Sequence, residues 1–328
     1  MKTIKLFVLA VLFAVSLIIG FGLFYVSQPL APVRLPLEFS IKPGSSVKAA
    51  AKQMHAAGVL KSEWAFVWLT RLRNQADKIK PGDYLLEKPI TPLELLEILS
   101  KGLVVKVELT IIEGSTFNQL REVLNSNPKI NHDTLALTER EILQRIGAPE
   151  SRAEGLFFPD TYRIASGTSD IDVLKQSYAL MQQRLQQSWD ARAPNLWLKS
   201  PYDALILASI VEKETGQASD RDKIAAVFHN RLRIGMMLQT DPTVIYGMGQ
   251  RFDGNIRKRD LSKDTPYNTY TRAGLPPTPI ALPGLAAIEA TLHPASINAL
   301  YFVARGDGST HFSDNLNDHN HAVNQFQK

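Results

Sequence analysis

The chain has 328 residues, a formal net charge of +5 and no cysteine. That length holds one large or two modest domains with real cores. Disulfides, cysteine-ligated zinc and thiol nucleophiles are excluded. The mild positive charge is scattered, with no basic motif interleaved with aromatics, so nucleic acid is not an expected partner.

The first predicted element is an uncharged, apolar run of 21 residues over positions 6–26. At about 1.5 Å per residue it spans a bilayer core of about 30 Å. Lys2 and Lys5 precede it. The positive-inside rule then leaves residues 1–5 in the cytoplasm and everything after Ser27 on the far side. A cleaved signal peptide is the rival reading. Its apolar core is normally about 7–15 residues long, and no clear small-x-small site precedes Pro29. The expectation is a retained transmembrane helix over 6–27, single-pass because no second run of that length appears. Residues 28–36 hold three prolines and read as an extended linker.

Two segments then echo each other seventy positions apart. Phe39-Ser40-Ile41-Lys42-Pro43-Gly44-Ser45-Ser46-Val47 parallels Leu109-Thr110-Ile111-Ile112-Glu113-Gly114-Ser115-Thr116-Phe117. Each reads as a short alternating strand, a glycine turn and a Ser/Thr helix cap. In the second, Thr116 and Gln119 have capping-box spacing. Helices are predicted over roughly 46–57, 62–74, 91–101 and 116–126, with a turn and strand at 80–86. Strand–Gly–Ser/Thr–helix is a common unit that by itself signifies only fold. The first unit also resembles the start of a LysM glycan-binding module.

Residues 128–153 are polar and helical in pattern, with Leu135, Leu137, Ile142, Leu143 and Ile146 as their apolar positions. Glu154-Gly155-Leu156-Phe157-Phe158-Pro159-Asp160-Thr161-Tyr162 follows. It suits either a groove wall or a core strand ending in a turn. A covering helix of mixed polarity is predicted over 170–193.

The next stretch carries the chemistry. Ala204-Leu205-Ile206-Leu207-Ala208-Ser209-Ile210-Val211 runs into Glu212-Lys213-Glu214-Thr215-Gly216. It predicts a buried helix over 203–215 that stops at Gly216. Glu212 shares a side with Leu205 and Ala208. Glu214 lies about 200° round, so the two carboxylates cannot converge on one atom. Apolar neighbours and the negative helix end both raise the pKa of Glu212, as a general acid requires. A structural Glu paired with Lys213 or Arg221 is the alternative. Ser219-Asp220-Arg221-Asp222 reads as the cap of an amphipathic helix ending at Gly235. Thr240 or Asp241 caps a short helix with Pro242 in its first turn.

Residues 265–283 are a proline-stiffened loop carrying Tyr267, Asn268, Thr269 and Tyr270. A helix from 283 to 292, a hairpin around Gly306-Asp307-Gly308 and a last helix complete the chain. His319 and His321 point apart on that helix, and no metal or cofactor is expected. His311 is a weak candidate for substrate contact.

Leu207 to Thr215, Phe228-His229-Asn230-Arg231-Leu232, Leu238-Gln239-Thr240-Asp241-Pro242-Thr243-Val244-Ile245-Tyr246 and Tyr267-Asn268-Thr269-Tyr270 closely resemble the YceG-like family. So do Glu154 to Tyr162, Gly274-Leu275-Pro276-Pro277 and Tyr301-Phe302-Val303-Ala304. The resemblance implies a membrane-bound endolytic murein transglycosylase with a LysM-like α/β subdomain over 37–105 and a mixed α+β catalytic domain over 106–328, an α+β chain overall. It implies that Glu212 protonates the glycosidic oxygen leaving C1 of N-acetylmuramic acid. The same group then takes the proton from that sugar's 6-hydroxyl, which closes on C1 to give a 1,6-anhydro end. Gln239, Asp241, Tyr267, Asn268 and Glu154 are the residues expected to bind or orient the glycan. The resemblance further implies cleavage inside nascent peptidoglycan strands and association with peptidoglycan synthases at the inner membrane. Two other functions stay open: a hydrolytic muramidase using Asp241 or Glu154 as second carboxylate, and a non-catalytic wall-binding scaffold.

Overall fold

The computed structural model describes every residue except Met1, Ala31, Val33, Thr215 and Lys328. The chain is mixed α+β and divides into two compact units, Met1–Glu108 with Arg163–Thr168, and Leu109–Tyr162 with Ser169–Lys328.

The first unit opens with helix α1, Lys2–Ser27. Within it Ile4–Ser27 is, among the described residues, the one helix long and apolar enough to cross a membrane. The sequence places the apolar run across 6–26, but Tyr25 and Val26 pack against the core of the unit instead of extending the exposed surface. Leu30, in the expected linker, is also buried and its N–H donates to the Ile90 carbonyl at 2.7 Å. Strand β1 (Leu37–Ile41), helices α2 (Val47–Ala56) and α3 (Glu63–Leu72) and strand β2 (Gly82–Leu86) follow, then helix α4 (Pro92–Lys101). β1 and β2 pair antiparallel, with Phe39 opposite Tyr84. Their rings stack at 5.3 Å, because alternation turns both inward. Ser46 caps α2, and Thr91 with Glu94 makes a capping box on α4. Strands β3 (Lys106–Thr110) and β4 (Thr161–Ala165) pair with each other.

The second unit is mostly helical. Its elements are α5 (Phe117–Ser126), α6 (Glu139–Ile146), α7 (Asp170–Asp190), α8 (Pro201–Glu214), α9 (Arg221–Arg233), α10 (Asp241–Met248), α11 (Lys258–Ser262) and α12 (Leu285–Leu292). The hairpin β5 (Tyr301–Ala304) and β6 (Thr310–Ser313) and helix α13 (Leu316–Phe326) close the chain. α8 is the axis. Every residue from Ala204 to Val211 is buried, and α7, α9, α10 and α12 pack around it.

Three local expectations change. The helical pattern over 128–153 yields only α6. The residues before it form a loop, because Asp170 accepts hydrogen bonds from Asp133 N, Thr134 N and the Thr134 hydroxyl. Arg121 holds the carbonyls of Thr134 and Leu137. The Ser219 cap is replaced by a 3-10 turn, Ala218–Asp220, leading straight into α9. Phe157 is a buried loop residue stacked on Phe117 at 5.3 Å, and the strand starts only at Thr161. Gly155 there has φ +80°, and a Cβ on it would sit 2.3 Å from the Pro279 ring. No side chain fits.

Candidate functional site

The site is built at the C-terminal end of α8, where the apolar sequence gives way to Glu212 and Glu214. The two carboxylates share none of their principal partners. Glu212 is half-buried and accepts from Gly284 N at 3.0 Å. Burial raises its pKa, Glu113 beside it adds to the rise, and Arg221 and Lys213 oppose it. Gly284 has no side chain because Glu113 occupies the place. A Cβ there would lie 1.9 Å from Glu113 Oε1. Lys213 reaches the carbonyl of Gly114 at 3.1 Å, tying α8 to the turn of the second sequence echo.

Glu214 faces a different neighbourhood. Its carboxylate accepts a hydrogen bond from the Thr240 hydroxyl. Burial pushes its pKa up, Asp241 pushes the same way, and Arg231 partly offsets both. Thr240 is the N-cap of α10, yet its side chain makes no capping bond and instead donates its hydroxyl to Glu214. Arg231 is buried and held by the carbonyls of Leu300 and Leu238, each at 2.7 Å.

An open cleft of about 550 Å³ runs past Glu214, lined also by Arg231, Gln239, Asp241, Tyr270, Tyr301 and His319. That volume is in the range of ordinary ligand sites. Gln239 sits at its wall with φ +48°, a left-handed backbone that a non-glycine residue seldom holds without need. The residue is exposed, and its backbone N–H donates to the Thr269 carbonyl at 3.1 Å. Asp241 accepts from the Tyr270 hydroxyl at 2.6 Å. Burial and this carboxylate both push the Tyr270 pKa up.

Of the residues expected from sequence to meet the glycan, Gln239 and Asp241 therefore gather at Glu214, away from the partners of Glu212. Tyr267 lies further along the loop. Its hydroxyl bonds that of Thr278 at 2.9 Å, and its ring meets Tyr246 edge-on at 4.9 Å. Asn268 is fully buried. Its amide donates to the carbonyls of Asp260, Leu261 and Lys263, and its oxygen accepts from Tyr270 N. No polar atom of it is left for a ligand. Glu154 is 6% exposed and accepts from Phe117 N at 2.9 Å and the Tyr246 hydroxyl at 3.1 Å. Burial lifts its pKa to about 7. It joins α5 to α10 from inside. His311 contacts Arg305 at 3.1 Å. Among the described residues no group of three or more His, Cys, Asp or Glu could hold a metal ion.

The YceG-like family model matches residues 39–325. The chain belongs to the YceG-like family. This YceG-like chain is 31% identical to the endolytic murein transglycosylase of Bacillus subtilis, over 94% of its own length and 91% of that protein. It is 29% identical to the endolytic murein transglycosylase of Streptococcus pneumoniae serotype 2, over 98% of its length but 65% of that longer protein. The crystal structure of a YceG-like protein from Listeria monocytogenes superposes with a TM-score of 0.55 at 28% identity, covering 87% of this chain and 98% of that one.

Sequence reasoning passed over Glu214, Arg231, Glu113 and Tyr270 as site residues. Helical geometry does separate Glu214 from Glu212. What it cannot tell is which of the two sides faces the cleft, since apolar residues surround α8 almost completely. Tyr270 carried a usable signal, because it stands in the same short motif as Tyr267.

Proposed function

We propose that this chain is an endolytic lytic transglycosylase, held by α1 in the inner membrane with its cleft on the periplasmic side. It cuts the bond between N-acetylmuramic acid and N-acetylglucosamine within nascent peptidoglycan strands and leaves 1,6-anhydro ends, which terminates elongation. Family membership and the names of the two relatives support the activity. The observation that carries the mechanism is a single desolvated carboxyl, Glu214, in a cleft wall built from polar and aromatic groups. A lytic transglycosylase needs one such group. Protonated Glu214 gives its proton to the leaving oxygen at C1. The carboxylate, steadied by the Thr240 hydroxyl and Arg231, then takes the proton of the same sugar's 6-hydroxyl as that oxygen bonds to C1. No water is consumed, and Glu214 ends protonated as it began. A raised pKa serves both steps. Gln239 and Asp241 hold the glycan, Tyr267 backs the loop, and Asn268 and Glu154 position it from within.

Glu212, the acid expected from the sequence, is the second candidate. Its raised pKa and the single bond from Gly284 N support it. A muramidase is a second reaction class, supported by Asp241 lying close enough to Glu214 to perturb it. Two carboxylates flanking one bond could activate water. The strand–helix–helix–strand order β1-α2-α3-β2 supports a LysM-like glycan-binding role for the first unit, and association with peptidoglycan synthases belongs to the same reading.

Mass spectrometry of peptidoglycan digested by the full-length protein, beside Glu214→Gln and Glu212→Gln, decides among these. Anhydro ends lost only in Glu214→Gln are expected. Loss only in Glu212→Gln moves the acid back to that residue. Reducing ends make the chain a hydrolase. Strands bound but uncut by the parent protein make it a scaffold.

A further inference from the structure

Helix α3 carries an apolar ridge that its own unit leaves uncovered. Ala65, Phe66, Val67, Leu69 and Thr70 form its buried side. Trp64, Trp68 and Leu72 stand on the other, 61%, 56% and 79% exposed. Residues four apart on a helix lie one above the next, so the three make one continuous strip. The charges near it are mostly basic: Lys61 before the helix, Arg71 within it and Arg73 at its end are exposed, with Glu63 half-buried in the first turn. Two indoles left in water forgo a large apolar burial, about 150–250 Å² for each ring.

A second observation says what covers them. Phe21 of α1 stacks on Trp64, centroids 6.4 Å apart and planes within 9°. Phe21 is itself 56% exposed and lies in the apolar stretch of α1. One turn later, Tyr25 and Val26 pack against the core of the unit. α1 therefore changes from an outward-facing apolar surface to a packed one within a rise of about 6 Å. Trp64, the first residue of the ridge, sits at that level. Helices α1 and α3 belong to the same compact unit.

We propose that α3 is an interfacial helix, its Trp64–Trp68–Leu72 ridge bedded in the outer face of the bilayer that α1 crosses and its flanking cations on lipid phosphates. The inference rests on reading α1 as a membrane span. Tryptophan suits the position, since its ring is apolar and its N–H finds acceptors at headgroup level. Amphipathic helices of this kind lie about 5–10 Å into the headgroup and acyl boundary. Glycan is the weaker occupant, because sugar hydroxyls need neutral and acidic hydrogen-bonding side chains around the ring faces, and the exposed charges near the ridge are cations.

The test uses the full-length protein in vesicles of phosphatidylcholine and phosphatidylglycerol, with and without bromine on the shallow acyl carbons. The chain has four tryptophans, and the double variant Trp64→Ser, Trp68→Ser keeps Trp189 and Trp197. We expect brominated lipid to quench the wild-type emission and leave the variant unchanged. Vesicle flotation without quenching overturns the ridge assignment while leaving the anchor standing. Failure to float overturns both. Quenching that persists in the variant also overturns it, as does shielding of the ridge from aqueous iodide only when soluble glycan strands are added.

Discussion

Glu214 and Glu154 are both carboxyls raised by burial, and each predicts a separate response to pH. The Thr240 hydroxyl stabilises the ionised form of Glu214. Thr240→Val removes that donor, so the pKa rises further and the protonated acid persists to higher pH. The alkaline limb of the pH–rate profile is expected to move upward, with a lower plateau because the carboxylate is less well held. An unmoved limb would remove Glu214 from the acid role. Glu154 has an ordinary value of 4.5 and a folded value of about 7. Between those values the folded chain keeps a proton that the unfolded chain releases, so its contribution to stability is full below the lower value and lost as pH rises through the upper. Glu154→Gln cannot titrate. Its stability relative to wild type is expected to gain up to about 3 kcal/mol between pH 4 and 8, read by urea unfolding. Parallel pH curves for the two proteins would refute this.

Asn268 shows how an element is fastened and why its role was hard to read. Asparagine beside two tyrosines in a loop suggests sugar binding, and the sequence holds nothing to say that three carbonyls from 260–263 fold back onto it. Asn268→Ala strands those acceptors, and a loss of about 2–3 kcal/mol is expected. Limited proteolysis should then cut within 263–284 first; a variant as resistant as wild type would contradict that role. Gln239→Gly is expected to do the opposite, relieving the left-handed backbone by about 1 kcal/mol while weakening cleavage. Where bonding is local the elements were legible. The capping box at Thr116 appears as a three-residue spacing. The loop before α6 was not, because the carboxylate that holds it, Asp170, is 36 or more residues away.

Across the whole molecule, the order of motifs was legible enough to give the family, while the compact units were not. Arg163–Thr168 returns to the first unit after the stretch from Leu109 to Tyr162 spent in the second, and no composition shift marks either crossing. The α1 boundary is the other whole-chain feature with a consequence. A protein lacking residues 1–27 is expected to be soluble, but it also loses Tyr25 and Val26 from the core of the first unit. One cut before Tyr25 should be more stable by about 2 kcal/mol, seen as a higher melting temperature of that unit. Equal melting temperatures would show that the two side chains contribute nothing to it.

The way α1 ends sets how the first unit is carried. A helix that runs without a break into the core of the body it supports behaves as an axle. With Leu30 docked as well, there is little slack for that unit to rise or swing. With α1 spanning the membrane as proposed, its search becomes two-dimensional: it drifts and spins with the lipid, always at the same altitude. Targets at that height are met often, and those a few nanometres further out are out of reach until something else brings them in.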